Sequence, residues 1–241
     1  MINWFLILPS RSCSTHHHYI NKTENMSPEK MWQIGCPENL LICGSTRSGK
    51  TSFVEALLDN KCMWEKPMNK IIYAYGIHNG TVDRLSQIHP EVILMEGLPR
   101  NLSQPHQIFS PHDNNLLITD DLSTESQNSR DFTNFITRGT NHSNCTLISI
   151  EHFLYSDTRE RRMQSHHWNQ YILFKNQRAT HQITTLAKQV GKDVQLMKYA
   201  YQDAVMEQPF GYLIVDLRLD TIPQMSLLTN VLPGGLPFVY K

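Results

Sequence analysis

The sequence predicts an α/β fold, a mostly parallel central sheet with helices on both faces, on three observations. Short apolar runs alternate with segments of helical period along the chain, as they do when strands are joined by crossover helices. One junction between such a run and such a segment spells G-x-x-x-x-G-K-[ST], from Gly44 to Thr51. A later apolar run, Leu116-Leu117-Ile118-Thr119, ends on two carboxylates, Asp120 and Asp121.

Taken in order, Asn39-Leu40-Leu41-Ile42-Cys43 has the length and apolarity of a buried parallel strand. The loop that follows has the chemistry of a phosphate cradle. Gly44 and Gly49 let the backbone turn its N–H groups inward, and the helix beginning near Lys50 adds its positive end. Lys50 supplies a mobile charge for the β- and γ-phosphates, and the Thr51 hydroxyl is a Mg²⁺ ligand. Ser45, Thr46, Arg47, Ser48 and Ser52 complete the predicted binding stretch for ATP or GTP. Phe53, Val54, Leu57 and Leu58 then recur at helical spacing.

Asn69–Gly76 reads as a second strand, Val82–Ile88 as a helix, and Glu91–Met95 as a third strand. The fourth, Asn114–Leu122, delivers the acidic pair. Asp120 is placed to hold Mg²⁺ opposite Thr51, and Asp121 to orient or deprotonate the attacking water. A polar segment, Ser123–Asp131, precedes a helix expected over Phe132–Gly139 and stopped at Gly139. Cys145–Glu151 is the next strand, and in an open α/β sheet its C-terminal end faces the ligand. Glu151 is therefore expected near the γ-phosphate. Arg159, Arg161 and Arg162 read as a solvated charged loop. After the strand Tyr171–Phe174 come helices marked by Ile183, Leu186, Ala187 and Val190 and by Leu196–Met206. A last strand, Tyr212–Asp216, leads into a Pro/Gly-rich tail ending at Lys241.

Composition sets limits. Lys plus Arg (22) equals Asp plus Glu (22), so no whole-molecule field attracts nucleic acid, and DNA binding would need a local patch or a ring of subunits. The five cysteines include no C-x-x-C pair and read as free thiols of a reducing compartment. No apolar run approaches the roughly 18 residues a membrane span needs. Residues 1–36, with His16, His17 and His18 and an apolar start at Ile2–Pro9 that lacks a basic flank, read as a poorly ordered leader. Residues 37–241 read as a single domain. The absence of an N-K-x-D run argues against a guanine site.

Beyond the phosphate loop, further stretches carry a resemblance. They are Glu96-Gly97-Leu98-Pro99, Thr137-Arg138-Gly139-Thr140-Asn141-His142, Tyr171 to Arg178, Gln182-Ile183 with Leu186-Ala187, Tyr212 to Asp216, and Thr229-Asn230. With these the chain from about Cys36 onward resembles the FtsK–HerA group of P-loop NTPases (RecA/FtsK-like). Within that group it resembles the genome-packaging ATPases of Polinton/Maverick elements and related double-stranded DNA viruses, the poxvirus type included. The resemblance implies a homo-oligomeric ring that hydrolyses ATP with Mg²⁺ and drives double-stranded DNA into a capsid, with capsid or portal proteins as partners. It implies an intracellular setting without a membrane: a host nucleus, a viral assembly site or the virion. It also implies an arginine acting on the neighbouring subunit's ATP, placed here at Arg138, with Arg162 and Arg178 as alternatives. The family usually ends its sensor strand in Gln-Asn, whereas this chain has Glu151-His152; His167 and Gln177 also depart from the pattern. An ionised carboxylate facing the γ-phosphate would repel it. The alternative expectation is therefore a nucleotide-binding but catalytically impaired module with a structural or interaction role.

Overall fold

Strand residues that are apolar on both faces need cover on both sides, and the central strands have it. The computed structural model describes residues 31–178, 180–206 and 209–241. The strands are β1 (Asn39–Cys43), β2 (Lys70–Tyr75), β3 (Val92–Glu96), β4 (Asn115–Asp120), β5 (Cys145–Glu151), β6 (Gln170–Phe174), β7 (Tyr212–Asp216), β8 (Leu227–Thr229) and β9 (Phe238–Val239). The helices are α1 (Lys50–Asp59), α2 (Gly80–Ile88), α3 (Ser123–Asn128), α4 (Arg130–Asn134), α5 (Thr140–His142), α6 (Arg159–Gln164), α7 (Thr180–Gln189) and α8 (Val194–Met206). One sheet runs β3-β2-β4-β5-β1-β6-β7-β8-β9. It is parallel from β3 to β6 and antiparallel from β7 to β9.

Alternation along β1 divides the core into two layers. Leu40 and Ile42 join Ile118, Ile148 and the α1 residues Phe53, Val54 and Leu57. Leu41 and Cys43 join Leu117, Leu147, Phe132 and the apolar faces of α7 and α8, such as Ile183 and Met197. The parallel register sets Cys43 beside Glu151 and Asp120 beside Ile150, so the ends of β1, β5 and β4 share one edge of the sheet. That edge carries the phosphate loop.

Four local outcomes differ from the sequence expectations. Trp32 (2% exposed) and Ile34 (0%) lie in the core although residues up to 36 were read as leader; Trp32 Nε1 donates to Gln170 Oε1 at 3.0 Å. The leader's remainder, with Cys13 and the histidine triplet, lies outside the described residues. Gly139 does not stop a helix. Its φ of −62° and ψ of −40° are helical, and the chain passes from α4 through a π turn over Phe135–Gly139 into α5. A Cβ there would lie 2.7 Å from Phe135 Cδ2, so side-chain packing and not turn geometry favours glycine. The polar segment after Asp121 holds α3, and the tail adds β8 and β9. Finally, Arg159–Gln164 is a helix, capped by the Thr158 side chain accepting from the Arg161 amide. Cys36, Cys43, Cys62 and Cys145 are free thiols.

Candidate functional site: a phosphate loop at the sheet edge

The loop from Gly44 to Gly49 is clamped between two strand ends. The Gly44 amide donates to the Glu151 carbonyl (3.3 Å), and the Ser45 amide and hydroxyl donate to the Lys175 carbonyl (3.1 and 2.8 Å). A Cβ on Gly44 would stand 2.6 Å from Phe174 Cβ, so only glycine lets the chain pass β6 this closely. Gly49 has φ +102°, a left-handed conformation that side chains resist. It also offers no cap to α1. The first-turn amides of Lys50, Thr51 and Ser52 therefore have no intrahelical acceptor, the arrangement that suits an anion at a helix N-terminus. Ser45, Thr46, Arg47 and Ser52 are exposed, while Ser48 and Gly49 are half-buried.

Lys50 is 7% exposed, and its Nζ donates to the carbonyls of Gly44 (2.8 Å) and Ser45 (2.9 Å). Burial lowers its pKa, opposed by the nearby Cys43, Asp120 and Asp121. Across from it, Thr51 Oγ1 donates to Asp120 Oδ2 at 3.3 Å, and Tyr73 OH donates to the same oxygen at 2.5 Å. Burial raises the Asp120 pKa, and the two hydroxyl donors pull it back. Tyr73, inside the expected strand Asn69–Gly76, thus belongs to the site. No sequence signal marks it, because its place beside Ile118 of the acidic strand is a pairing only the fold reveals. Asp121 follows with φ +57°, its side chain 49% exposed. Gly76 packs against it so closely that a Cβ would lie 2.1 Å from the Asp121 carbonyl oxygen.

Glu151 does not face the loop with its side chain. It is 2% exposed and accepts from the hydroxyls of Ser123, Ser126 and Ser149. Arg161 Nη1 lies 3.7 Å away, equally buried. Strand alternation explains the outcome: Glu151 shares a face with Ser149 and Leu147, opposite Ile148 and Ile150. Because both faces of β5 are buried, sequence periodicity gave no warning. It is His152, the next residue, that lines a cleft with Ser45, Thr46, Phe153, Lys175, Asn176 and Arg178. Its Nε2 is 3.9 Å from Asp121 Oδ1. The Asn176 side chain donates to the His152 carbonyl at 2.9 Å and fixes that turn.

The arginines separate. Arg161 is a core residue, and its Nη2 donates to the Phe153 carbonyl at 3.1 Å. Arg178 borders the Gly44–Thr51 loop of the same chain, whereas Arg162 is exposed on α6. Exposed Arg138 lines a separate cleft of about 390 Å³ with Leu102, Pro105, His106, Asn134 and His142. Among the described residues no group of three or more His, Cys, Asp or Glu side chains gathers as a metal site. Nor is any described helix long and apolar enough to cross a membrane.

No protein-family model and no curated protein matches the sequence. Solved structures do resemble the fold. EssC (ATPases 2 and 3) from Geobacillus thermodenitrificans superimposes with a TM-score of 0.51 at 14% identity, over 84% of this chain and 39% of that one. B204, the DNA-packaging ATPase of Sulfolobus turreted icosahedral virus, gives 0.46 at 14% identity, over 85% of this chain and 98% of that one. The cytoplasmic domain of the Thermomonospora curvata type VII secretion ATPase EccC gives 0.47 at 14% identity, over 76% and 25%. The chain thus spans about two-fifths of EssC and nearly the whole length of B204. With the mostly parallel sheet covered on both faces, the EssC likeness establishes the α/β fold of the P-loop ATPases.

Proposed function

We propose that the protein is an ATP-hydrolysing motor that works as a ring of identical subunits and drives double-stranded DNA into a viral or virus-like capsid. One observation carries the ATPase part: the amide cradle, Lys50, the Thr51–Asp120 pair and Asp121 converge at one edge of the sheet. The DNA and capsid parts draw on the stretches that resemble packaging ATPases, and a viral assembly site or virion is the setting they suggest.

In this reading the first-turn amides of α1 and Lys50 hold the β- and γ-phosphates. Thr51 and Asp120 present hard oxygen ligands, the small protein share that Mg²⁺ takes when phosphates and waters supply the rest. When bound, Mg²⁺ supplies positive charge against the phosphate oxygens. Tyr73 holds the Asp120 carboxylate in place for this role. Asp121 orients the attacking water and takes its proton as the oxygen bonds to the γ-phosphorus. The bond from that phosphorus to the oxygen shared with the β-phosphate breaks, and ADP leaves with the electron pair. Arg178 stands ready in cis. Arg138, exposed away from its own loop, is the arginine for a neighbouring subunit's phosphates.

The test is ATP hydrolysis by the purified protein with Mg²⁺. Lys50→Ala and Asp120→Asn should each lose it, and parental rates in either variant would refute the assignment. Arg138→Ala should bind ATP yet not turn it over, and mixing it with Lys50→Ala should restore part of the activity. Full activity in a monomer would refute the ring.

The second reading, a weakly turning nucleotide-binding module, now rests on His152. Glu151 faces Arg161 inside the protein, but an imidazole 3.9 Å from Asp121 can pair with the carboxylate that should serve the water. Faster hydrolysis by His152→Asn favours this reading, and slower hydrolysis favours an active motor.

A further inference from the structure

Two clefts flank the phosphate loop, and they differ in chemistry. Lys175 lines both, and the first adds Arg178 and His152. The second, of about 460 Å³, runs from Ser45–Ser48 to Val205, Met206, Pro209 and Phe210. Phe210 is 67% exposed and Met206 72%, an uncovered aromatic ring and thioether beside a polar loop. Phe210 has φ +65°, a conformation a bulky residue rarely keeps. Its side chain also lies against the cradle, since a Cβ on Gly49 would meet Phe210 Cβ at 2.8 Å and Cδ1 at 3.1 Å.

Direction decides what such a ring could meet. Asp120 belongs to β4, which lies to one side of β1, whereas Phe210 leads into β7, beyond β6 on the other side. A nucleotide with its γ-phosphate toward Asp120 extends its base across the loop toward β7. We infer that Phe210, backed by Val205 and Met206, is the stacking platform for the nucleobase of the bound nucleotide. The inference rests on the reading of the loop as an ATP site and adds the residue that grips the base. Flat aromatic rings stack on bases, and a methionine sulfur adapts to ring edges. Val205, Met206 and Pro209 bring no side-chain hydrogen-bonding group, so this wall of the cleft holds a base by its face, while Arg47 and Lys175 line the same cleft on the loop side.

Calorimetric titration of the full chain with ATP and with inorganic tripolyphosphate, which has no base, tests this. Phe210→Ala should weaken ATP binding roughly five- to hundredfold and leave tripolyphosphate binding as in the parent. Phe210→Trp should restore the ATP affinity. Where the alanine variant melts earlier than the parent, Phe210→Leu keeps the apolar bulk without the ring face and should still lose ATP affinity selectively. ATP affinity within twofold of the parent in Phe210→Ala would overturn the inference, as would an equal loss for both ligands. Lys50→Ala must weaken both; if it weakens neither, the ATP-site reading fails, whatever Phe210 does.

Discussion

Replacing Glu151 with glutamine removes one charge and keeps the shape, and the structure says what should follow. Ser126 and Ser149 donate to one carboxylate oxygen and Ser123 to the other, so a glutamine oxygen can keep the first two contacts while its NH2, a donor, loses the third. What disappears is the charge facing Arg161, which is 1% exposed and has Nε and Nη1 without hydrogen-bond partners among the described residues. At 3.7 Å the pair is too long for a hydrogen bond, so its contribution is Coulombic. At an effective dielectric constant near 20, that attraction is about 4 kcal/mol. Leaving one buried charge unpaired typically costs about 3–5 kcal/mol, and the retained serine contacts put this case near the lower end. For a domain of this size, about 3 kcal/mol corresponds to a melting temperature lower by roughly 6–12 °C. Circular dichroism melts of parent, Glu151→Gln, Arg161→Met and the double variant measure it. The double variant should melt above either single one, because a neutral pair leaves no uncompensated charge. A Glu151→Gln melt within a degree of the parent, or a large gain in ATP turnover without loss of stability, would refute the placement of Glu151 in the core.

Three further outcomes follow from other contacts. Gly76→Ala sets a Cβ 2.1 Å from the Asp121 carbonyl and must displace that residue. Misplacing a catalytic group by about 1 Å can cost a hundredfold, so steady-state kinetics should show kcat down at least tenfold with KM for ATP changed less. Trp32→Ala removes a ring packed at 6.5 Å from Phe53 and the bond to Gln170. A loss of about 3–5 kcal/mol in urea unfolding is expected, and a change under 1 kcal/mol would place Trp32 outside the core. Glu38 has its pKa pushed up to about 7 by burial, against the pull of Arg218. Its folded-state pKa lies above the unfolded value, so its contribution is complete below about pH 4.5 and is lost as pH rises to about 7. The parent's melting temperature should fall between pH 5 and 7.5 more steeply than that of Glu38→Gln, and equal slopes would contradict the burial argument.

Much of the architecture was legible because β1, β5 and β7 are apolar runs of five to seven residues flanked by turn signals, and their observed spans match the reading. The tight loop from Gly44 to Gly49 was legible because its backbone demands glycine at fixed places. β8 and β9, of three and two residues, are too short to show a period inside a Pro/Gly-rich tail. Trp32 and Ile34 sit in a polar stretch with no repeat, and only long-range contacts reveal their burial. Arg161 was hidden by its charged neighbours, since charge composition cannot show that one arginine of a cluster turns inward toward a carboxylate distant in sequence. The inward placement of Glu151, with His152 at the cleft, has the same root: on a strand buried on both faces, alternation does not say which residue lines the cleft.

The most direct measurement is the rate of Mg²⁺-dependent ATP hydrolysis by the purified chain, with and without linear double-stranded DNA of unrelated sequences. A motor that grips phosphates predicts hydrolysis that rises severalfold with DNA of any sequence, falls as salt is added, and vanishes in Lys50→Ala. Hydrolysis unchanged by DNA would contradict the translocase reading, and no hydrolysis under any condition would contradict the motor itself.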